Sequence, residues 1–575
     1  MDLAECRALA AQFGLPMALA AVLIRRGMRE PEQVSAFLSP SLARLPPPET
    51  MLGMAKAVDL LVEAIRQARP ILVYGDYDAD GVTGAALLTD FLRRTGHPAV
   101  HCFLPHRLND GYGLHEHHLR ALGRELQGQD GQAPLLLTVD CGISDHSQVA
   151  AAKELGFTVI ITDHHRCSPL LPDADAILNP CRPGCPFAEH DLAGVGVAFY
   201  LLMGLRRALA EQGFWPADRI PNLKEYLDLV AIGTLADMVK LQGINRILVR
   251  AGLEVLGERS RRPGLAALAA TAGIVGRPWR AEDIAMLIAP RLNAAGRIAS
   301  PEIALELLLS DDPAEAAKLA DELEAINSQR KELTEEIYQN VRQRALATLA
   351  NGPRHCLIFA DPTWHPGVVG IAATRLIKEV QRPVILLALD KGLARGSGRS
   401  ANGLDLFEAV KECQDLLLEW GGHGAALGLT IRAENLAEFG NRLEAALIRR
   451  LGEAAGTAVG REAAVADWSF ADQRIEARLL ECYHRLEPFG AGNPEPVFRV
   501  RGQLSRPSVV GNRHLRFSWR QEGAAWGGIA FGLGSLSDQA ASEKMEMFFS
   551  FRRNFFRGEE KWQLQAIDLR PAVVL

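Results

Sequence analysis

Long apolar runs are missing from this sequence. No stretch of eighteen consecutive apolar residues occurs among its 575, so no membrane-spanning helix is expected. The opening residues, MDLAECRALAAQFGLP, lack the basic start that leads into an apolar run in a secretory signal. Cysteine is sparse. The nine are odd in number and scattered, and no CxxC pair occurs. That argues against a disulfide framework and against the common structural zinc patterns, and a cytoplasmic chain with reduced thiols is expected. A positive balance is lacking too, with a formal net charge of −6. Whole-chain charge therefore does not advertise a polyanion partner, although phosphate recognition depends on local patches. No internal repeat or low-complexity tract occurs.

What is present is alternation of strands and helices. At 575 residues and 48% hydrophobic content, the chain exceeds one core and predicts three or four domains. Residues 1–50 read as a short helical segment that closes on LPPPE. ILVYG (71–75), LLLTV (135–139) and TVIIT (158–162) are short all-apolar strands, and VTGAALLTDFLRR (82–94) is a helical pattern after the first. Such strands predict a parallel sheet covered on both faces. Residues 313–350 predict one long helix of about 57 Å. Asp312 stands at its N-cap, Pro313 at its first position, Glu315 at the capping-box position, and Asn-Gly-Pro (351–353) stops it. HCLIFA (355–360) and PVILLAL (383–389) then open a second, smaller α/β unit. From 465 onward the last 111 residues hold 15 of the 36 aromatics, with 15 Lys and Arg against 13 Asp and Glu. Segments such as HLRFSW (514–519) and MEMFFSF (545–551) predict strands of a small β-barrel. The expected divisions are 1–50, a first α/β domain over 51–312, the helix 313–350, a second α/β domain over 351–455, and a barrel over 465–575.

The acidic residues fall where such a fold would gather them. The first strand ends in Asp76-Tyr77-Asp78-Ala79-Asp80-Gly81, the second in Asp140-Cys141-Gly142 and the third in Asp163-His164-His165. In an open parallel sheet the carboxyl ends of the strands converge at one edge, and ligands bind there. Asp237, in LADMV, is a further candidate. Each segment alone reads as an ordinary turn or cap. Together they predict carboxylates that cannot share a pocket while ionised unless cations neutralise them. Oxygen donors with one or two imidazoles suit Mn²⁺ or Mg²⁺, and a pair of such ions suits phosphoryl displacement. His115, His117 and His118 read as an exposed helix face.

These motifs resemble the DHH phosphoesterase family: VYGDYDADGVTG, DCGIS, TDHH and LADMV in order, then WHPGVVGIAATRL (364–376), GSGRS (396–400) and GGHGAALGLTI (421–431), which resemble its companion DHHA1 domain. LPHRLNDGYGL (104–114), LAGVGVAFYLL (192–202), APRLNAAGRI (289–298) and LEPFGAGNPEPVF (486–498) are similar to the branch that digests single-stranded DNA and carries a C-terminal OB-like domain. The resemblance implies a metal-dependent 5′-to-3′ exonuclease that releases mononucleotides in DNA repair and recombination. It implies two divalent ions, Mn²⁺ or Mg²⁺, held by Asp78, Asp80, Asp140, His164 and Asp237, with Asp140 as the bridge and Asp76 as a ligand or an orienting neighbour. Asp163 is expected to orient His164, and His165 to contact the scissile phosphate. Arg107, Arg297, Ser397 and Arg399 are expected at a terminal-phosphate pocket, where Ser397-Gly398-Arg399-Ser400 either presents backbone N–H groups or is an ordinary Gly-Ser turn. His365 and His423 are expected to contact substrate, His365 equally well reading as a turn cap. The implied partners are single-stranded DNA, a single-stranded DNA-binding protein and a RecQ-type helicase, with a monomeric chain and no membrane. Two other readings stay within the family: a phosphodiesterase of short oligonucleotides or cyclic dinucleotides, and a scaffold without catalysis. Arg513, Arg516, Phe517, Trp519, Arg552, Arg553, Phe555 and Phe556 alternate near the C-terminus. Most of these aromatics are expected in the barrel core, with a few stacking on bases.

Overall fold

A computed structural model describes residues 2–126, 132–189, 191–257, 262–401, 404–423, 426–453, 464–470, 475–511, 513–521, 524–556 and 559–572. Its first sheet is built from β1 (Ile71–Gly75), β2 (Val100–Phe103), β3 (Leu135–Val139), β4 (Thr158–Thr162) and β5 (Ala176–Leu178). All neighbours pair in parallel, in the order β2-β1-β3-β4-β5. Alternate residues of one strand enter opposite cores: Ile71 and Val73 pack in one, Leu72 and Tyr74 in the other. Burial on both faces is why these strands are apolar without alternation. The strand order reverses between β1 and β3, so a crevice opens beyond their carboxyl ends.

The long helix runs Pro313–Ala350, with the Asp312 carboxylate accepting from Ala314 N at 2.9 Å. That cap uses the residue the sequence marks, and Glu315 supplies the acidic first turn. Leu319 and Leu323, in its first half, belong to the core that also holds β1 and β3; Ile337 and Val341, in its second half, belong to a core of the following domain. There β6 (Leu357–Asp361), β7 (Val384–Asp390), β8 (Leu393–Arg399), β9 (Leu417–His423) and β10 (Ala426–Arg432) lie in the order β6-β7-β8-β10-β9. Only β6 and β7 pair in parallel. The segment read as a Gly-Ser turn, GSGR, is therefore the end of a strand, and it lies between β7 and β10. Its backbone groups serve that sheet, so the expectation of N–H groups offered to a ligand is corrected.

The last sheet has seven strands, β11 (Trp468–Ser469), β12 (Phe498–Gly502), β13 (Leu504–Val510), β14 (His514–Gln521), β15 (Ala524–Ala530), β16 (Met545–Phe556) and β17 (Glu559–Pro571), in the order β11-β12-β16-β17-β15-β14-β13. Phe517 and Trp519 lie in its core, while Phe555, Arg513 and Arg516 face outward. Arg552 pairs with Glu282, and Arg553 lies 3.5 Å from Glu487. The side chain of Phe556 lies outside the described residues. The helices Leu3–Phe13, Met17–Arg25 and Pro31–Leu38 share the core of this sheet, Leu19 and Leu23 with Tyr483 and Phe498. Arg246 fastens the junction. Its guanidinium donates to the carbonyls of Phe37 (2.9 Å), Glu487 (2.8 Å), Arg485 (3.1 Å) and Leu486 (3.2 Å) and stacks 3.7 Å from the centre of the Phe37 ring.

Candidate metal centre and phosphate pocket

Local structure aims the acidic residues into the crevice. Asp78 caps the helix Ala79–Arg94 through one oxygen, which accepts from Asp80 N (2.9 Å) and Gly81 N (3.2 Å). Asp80 sits in the first turn and is held by the start of the helix Gly194–Glu211, whose Gly194 N (2.6 Å) and Val195 N (2.9 Å) donate to its two oxygens. Only glycine fits at 194, since a Cβ there would stand 2.7 Å from Asp140 Cβ. Asp140 follows β3 with φ of 62°, a left-handed conformation that is uncommon outside glycine and clusters at functional sites. Asp237 ends the helix Leu227–Ala236.

Three overlapping sets result, each with ligand atoms within 4.8 Å of one another: Asp76, Asp78 and Asp140; Asp140, His164 and His165; Asp80, His164 and Asp237. Asp140 Oδ1 lies 3.1 Å from His164 Nε2 and 3.8 Å from His165 Nδ1, and Asp237 Oδ2 lies 3.6 Å from His164 Nε2. Asp76 Oδ1, Asp140 Oδ1 and His164 Nε2 are buried without any hydrogen-bond partner. Orphaned buried atoms of this kind cost roughly 1–3 kcal/mol each, more for charged groups. Burial, reinforced by Asp78, holds the Asp76 carboxyl well above its ordinary range. Burial together with Asp80 and Asp78 does the same to Asp140, and burial with the Asp237 charge pushes Asp80 up to about 7. Burial also raises Asp237. A crowded, dry set of carboxylates with unsatisfied atoms and two imidazoles fits oxygen-seeking divalent cations.

Asp163 has a different task from the expected one. One oxygen accepts from His164 N (2.7 Å), His165 N (3.0 Å) and His165 Nδ1 (2.8 Å), and the other from Ile143 N (3.0 Å). It therefore orients the ring of His165, while it holds only the backbone of His164. Burial opposes its charge, but these donors and the His165 charge outweigh that and keep its pKa low. Burial likewise disfavours protonated His165, yet the bond and charge of Asp163 carry it up to about 9. Tyr112, which sequence reading passed over, donates to Asp140 O at 3.0 Å and lies 3.1 Å from His165 Nδ1.

Beside the acidic crevice the arginines collect. Arg297, on the helix Ala289–Ile298, donates to Gly367 O at 3.3 Å across the interface between the two α/β domains. Arg399, ending β8, donates to Thr374 Oγ1 (3.1 Å) and Gly398 O (2.8 Å). Arg107 stacks 5.1 Å from the centre of the Tyr77 ring. A Cβ at Gly370 would stand 2.9 Å from Arg399 Nη2 and 3.0 Å from Ser397 Oγ, so glycine there lets both side chains reach the start of the helix Val369–Val380. Burial lowers the Arg297 pKa to about 9, with Arg107 and Arg330 adding repulsion, and burial with Arg107 lowers that of Arg399. Arg330, on the long helix, is the member sequence reading missed; no motif marks it. Among the described residues no carboxylate pairs with Arg107, Arg297, Arg330 or Arg399. Half-buried guanidiniums that repel one another call for an anion. His365 accepts from Gly367 N at 3.2 Å through Nδ1, which caps the turn. His423 ends β9, and its side chain lies outside the described residues.

A parallel-sheet domain with this acidic cluster, joined by a helix to a second α/β domain, defines a DHH-type phosphoesterase. Family models agree along the chain: the DHH family N-terminal domain over residues 70–234, the DHHA1 domain over 354–449 and the RecJ OB domain over 466–568. The single-stranded-DNA-specific exonuclease RecJ of Escherichia coli (strain K12) is 35% identical over 574 residues, covering 97% of this chain and 96% of that protein. The RecJ of Thermus thermophilus is 36% identical, covering 96% of this chain and 74% of its own. The crystal structure of the Thermus protein with Mn²⁺ superposes with a TM-score of 0.80 at 33% identity, over 100% of this chain and 79% of that one. A Mg²⁺ complex gives 0.75 at 32%, over 100% and 78%. The chain belongs to the RecJ family.

Proposed function

We propose that this protein is a metal-dependent 5′-to-3′ exonuclease that hydrolyses single-stranded DNA to 5′-mononucleotides. The observation that carries the reading is the adjacency of two unlike sites: an acidic cluster with orphaned ligand atoms, and a pocket of arginines with no carboxylate partners among the described residues. Two divalent ions, Mn²⁺ or Mg²⁺, would be held by Asp76, Asp78, Asp80, Asp140, His164 and Asp237. When bound they neutralise the carboxylates and supply Lewis acidity toward the phosphodiester and its attacking water. The chain does the rest. Asp163 fixes the His165 ring, and His165 is placed to hydrogen-bond the scissile phosphate. Arg107, Arg297, Ser397 and Arg399 would hold a terminal 5′-phosphate, with Arg330 behind them. A pocket that takes a chain end and not an internal phosphodiester, which extends on both sides, would set the polarity. His365 retains Nε2 for substrate, since Nδ1 is used in the turn.

The residue ranges proposed for the catalytic, companion and OB-like domains are 51–312, 351–455 and 465–575. A single-stranded DNA-binding protein and a RecQ-type helicase are proposed partners in repair and recombination, with a monomeric enzyme in the cytoplasm. No single described helix is long and apolar enough to cross a membrane.

The test is an end-labelled single strand with Mn²⁺, compared with duplex and with strands blocked at either end. Mononucleotides released from the 5′ end, insensitive to a 3′ block and abolished by chelation, are expected. Release from the 3′ end, or equal cleavage of a circular strand, would defeat the reading.

A further inference from the structure

A second group of metal-ligating side chains lies outside the acidic crevice. The histidines read from sequence as an exposed helix face do not form one. The His117 side chain is 66% exposed, but that of His118 is only 16% exposed. His118 and the Asp110 carboxylate are largely covered. The three residues Asp110, His117 and His118 bring ligand atoms within 4.8 Å of one another. Asp110 Oδ1 is 3.6 Å from His117 Nε2 and 3.5 Å from His118 Nε2. Those gaps are too long for hydrogen bonds. They are close to the roughly 3.3 Å that separates two ligands each bound about 2.0–2.1 Å from one tetrahedral ion.

The proton positions reinforce this. Tyr74 is fully buried, and its hydroxyl lies 3.3 Å from both the Gly113 carbonyl oxygen and His118 Nδ1. The carbonyl can only accept; a hydroxyl proton given to it leaves the phenol oxygen to accept from Nδ1–H. In that tautomer the Nε2 lone pair of His118 faces a carboxylate oxygen. Burial lowers the His118 pKa, which disfavours a second proton on the ring. Two acceptors facing each other with no proton between them repel unless a cation joins them. The other Asp110 oxygen is occupied, accepting from His106 N at 2.7 Å. A third imidazole, His115, lies with its ring centre 5.8 Å from that of His117 and 5.6 Å from that of His118, and its Nε2 is buried without a partner.

We propose that Asp110, His117 and His118 form a separate site for an imidazole-seeking divalent ion of the Zn²⁺ class. Two imidazoles and one carboxylate favour Zn²⁺, Co²⁺, Ni²⁺ or Cu²⁺ over Mg²⁺ or Mn²⁺. The exposed His117 leaves the outer position open to water. Such an ion ties the segment 104–114, which carries Arg107 and Tyr112, to the helix Glu116–Leu126.

The test is Zn²⁺ binding to the full-length protein in excess Mg²⁺, by competition with a chromophoric chelator. His117→Ala removes one ligand from an exposed position, so the fold is retained, as circular dichroism would verify. The wild type is expected to bind one more Zn²⁺ equivalent than His117→Ala, or to bind it about a hundredfold or more tightly, since losing even an outer partner of a ligand costs 10–100-fold. Asp110→Asn is expected to match His117→Ala. Mn²⁺-supported cleavage by His117→Ala is expected to equal the wild type. Equal Zn²⁺ stoichiometry and affinity in the wild type and both variants would overturn the site. Collapse of Mn²⁺-supported cleavage in His117→Ala would overturn its separateness from the catalytic cluster.

Discussion

Asp140 carries both a backbone constraint and a charge constraint. Its φ of 62° is tolerated by Asn as well as Asp, so Asp140→Asn isolates the charge. Hydrolysis should fall by more than about a hundredfold, beyond the cost of losing an outer partner. The metal-free protein should respond in the opposite sense. Asp76, Asp80 and Asp140 have folded pKa values raised above those of the free side chain, with Asp80 at about 7. They bind more protons folded than unfolded, so their penalty is absent below about pH 4 and grows as pH rises toward and through 7. In chelator at pH 8, Asp140→Asn should melt higher than the wild type; with Mn²⁺ the order should reverse. Melting curves in the two buffers decide this. Arg330→Gln tests the residue that no motif flags. If it faces the bound anion, preference for a 5′-phosphate over a 5′-hydroxyl end should drop about 10–100-fold, the worth of a charged hydrogen bond. Cleavage of 5′-hydroxyl ends should be unchanged, and equal preference in the variant would remove Arg330 from the pocket. The acidic residues were legible because strand ends must converge. Arg330 was not, because on a long helix the apolar stripe is the only periodic signal.

Among the elements, the helix Pro313–Ala350 fixes the distance between the two α/β domains, because each half is buried in a different core. Inserting seven residues near its middle adds about 10.5 Å while nearly preserving the apolar face, since seven residues make close to two turns. Both cores should survive, giving near-native circular dichroism, but the contact between Arg297 and Gly367 should break and 5′-phosphate preference should vanish. Retained preference would mean that the pocket is complete within one domain. At the start of the helix Val369–Val380, Gly370→Ala should leave stability unchanged or raise it by up to about 1 kcal/mol, as alanine usually does in a helix. It should still weaken 5′-end selection, because the new Cβ displaces Arg399 and Ser397. β1, β3 and β4 were readable because burial on both faces leaves them largely apolar. β2 and β5 were not: β2 has only Val100 buried, with His101 exposed, and β5 has three residues. In β8, glycine and serine mimic a turn, and pairing with both β7 and β10 overrides that local preference.

On the scale of the whole molecule, the ends of the chain are built into one another. Sequence reading set residues 1–50 apart as a helical segment, because nothing local says which distant core will cover an apolar helix. Arg246 is the fastening. It is buried with carbonyl partners from both the N-terminal helices and the segment leading to the last sheet, and burial lowers its pKa to about 9. Arg246→Met removes a guanidinium that satisfies several carbonyls at once, so a loss of about 3 kcal/mol or more is expected. Limited proteolysis should then release residues 1–40 early, while cleavage of a Mn²⁺-bound dinucleotide persists. Protection equal to the wild type would assign the junction to hydrophobic packing alone. The same interlock reaches into biosynthesis. Arg26 bonds Asn493 across 467 positions. At 5–20 residues per second a ribosome takes about 20–90 s to produce the partner of the first helices. For that interval the apolar face around Leu19 and Leu23 lacks Tyr483 and Phe498, which cover it in the folded protein.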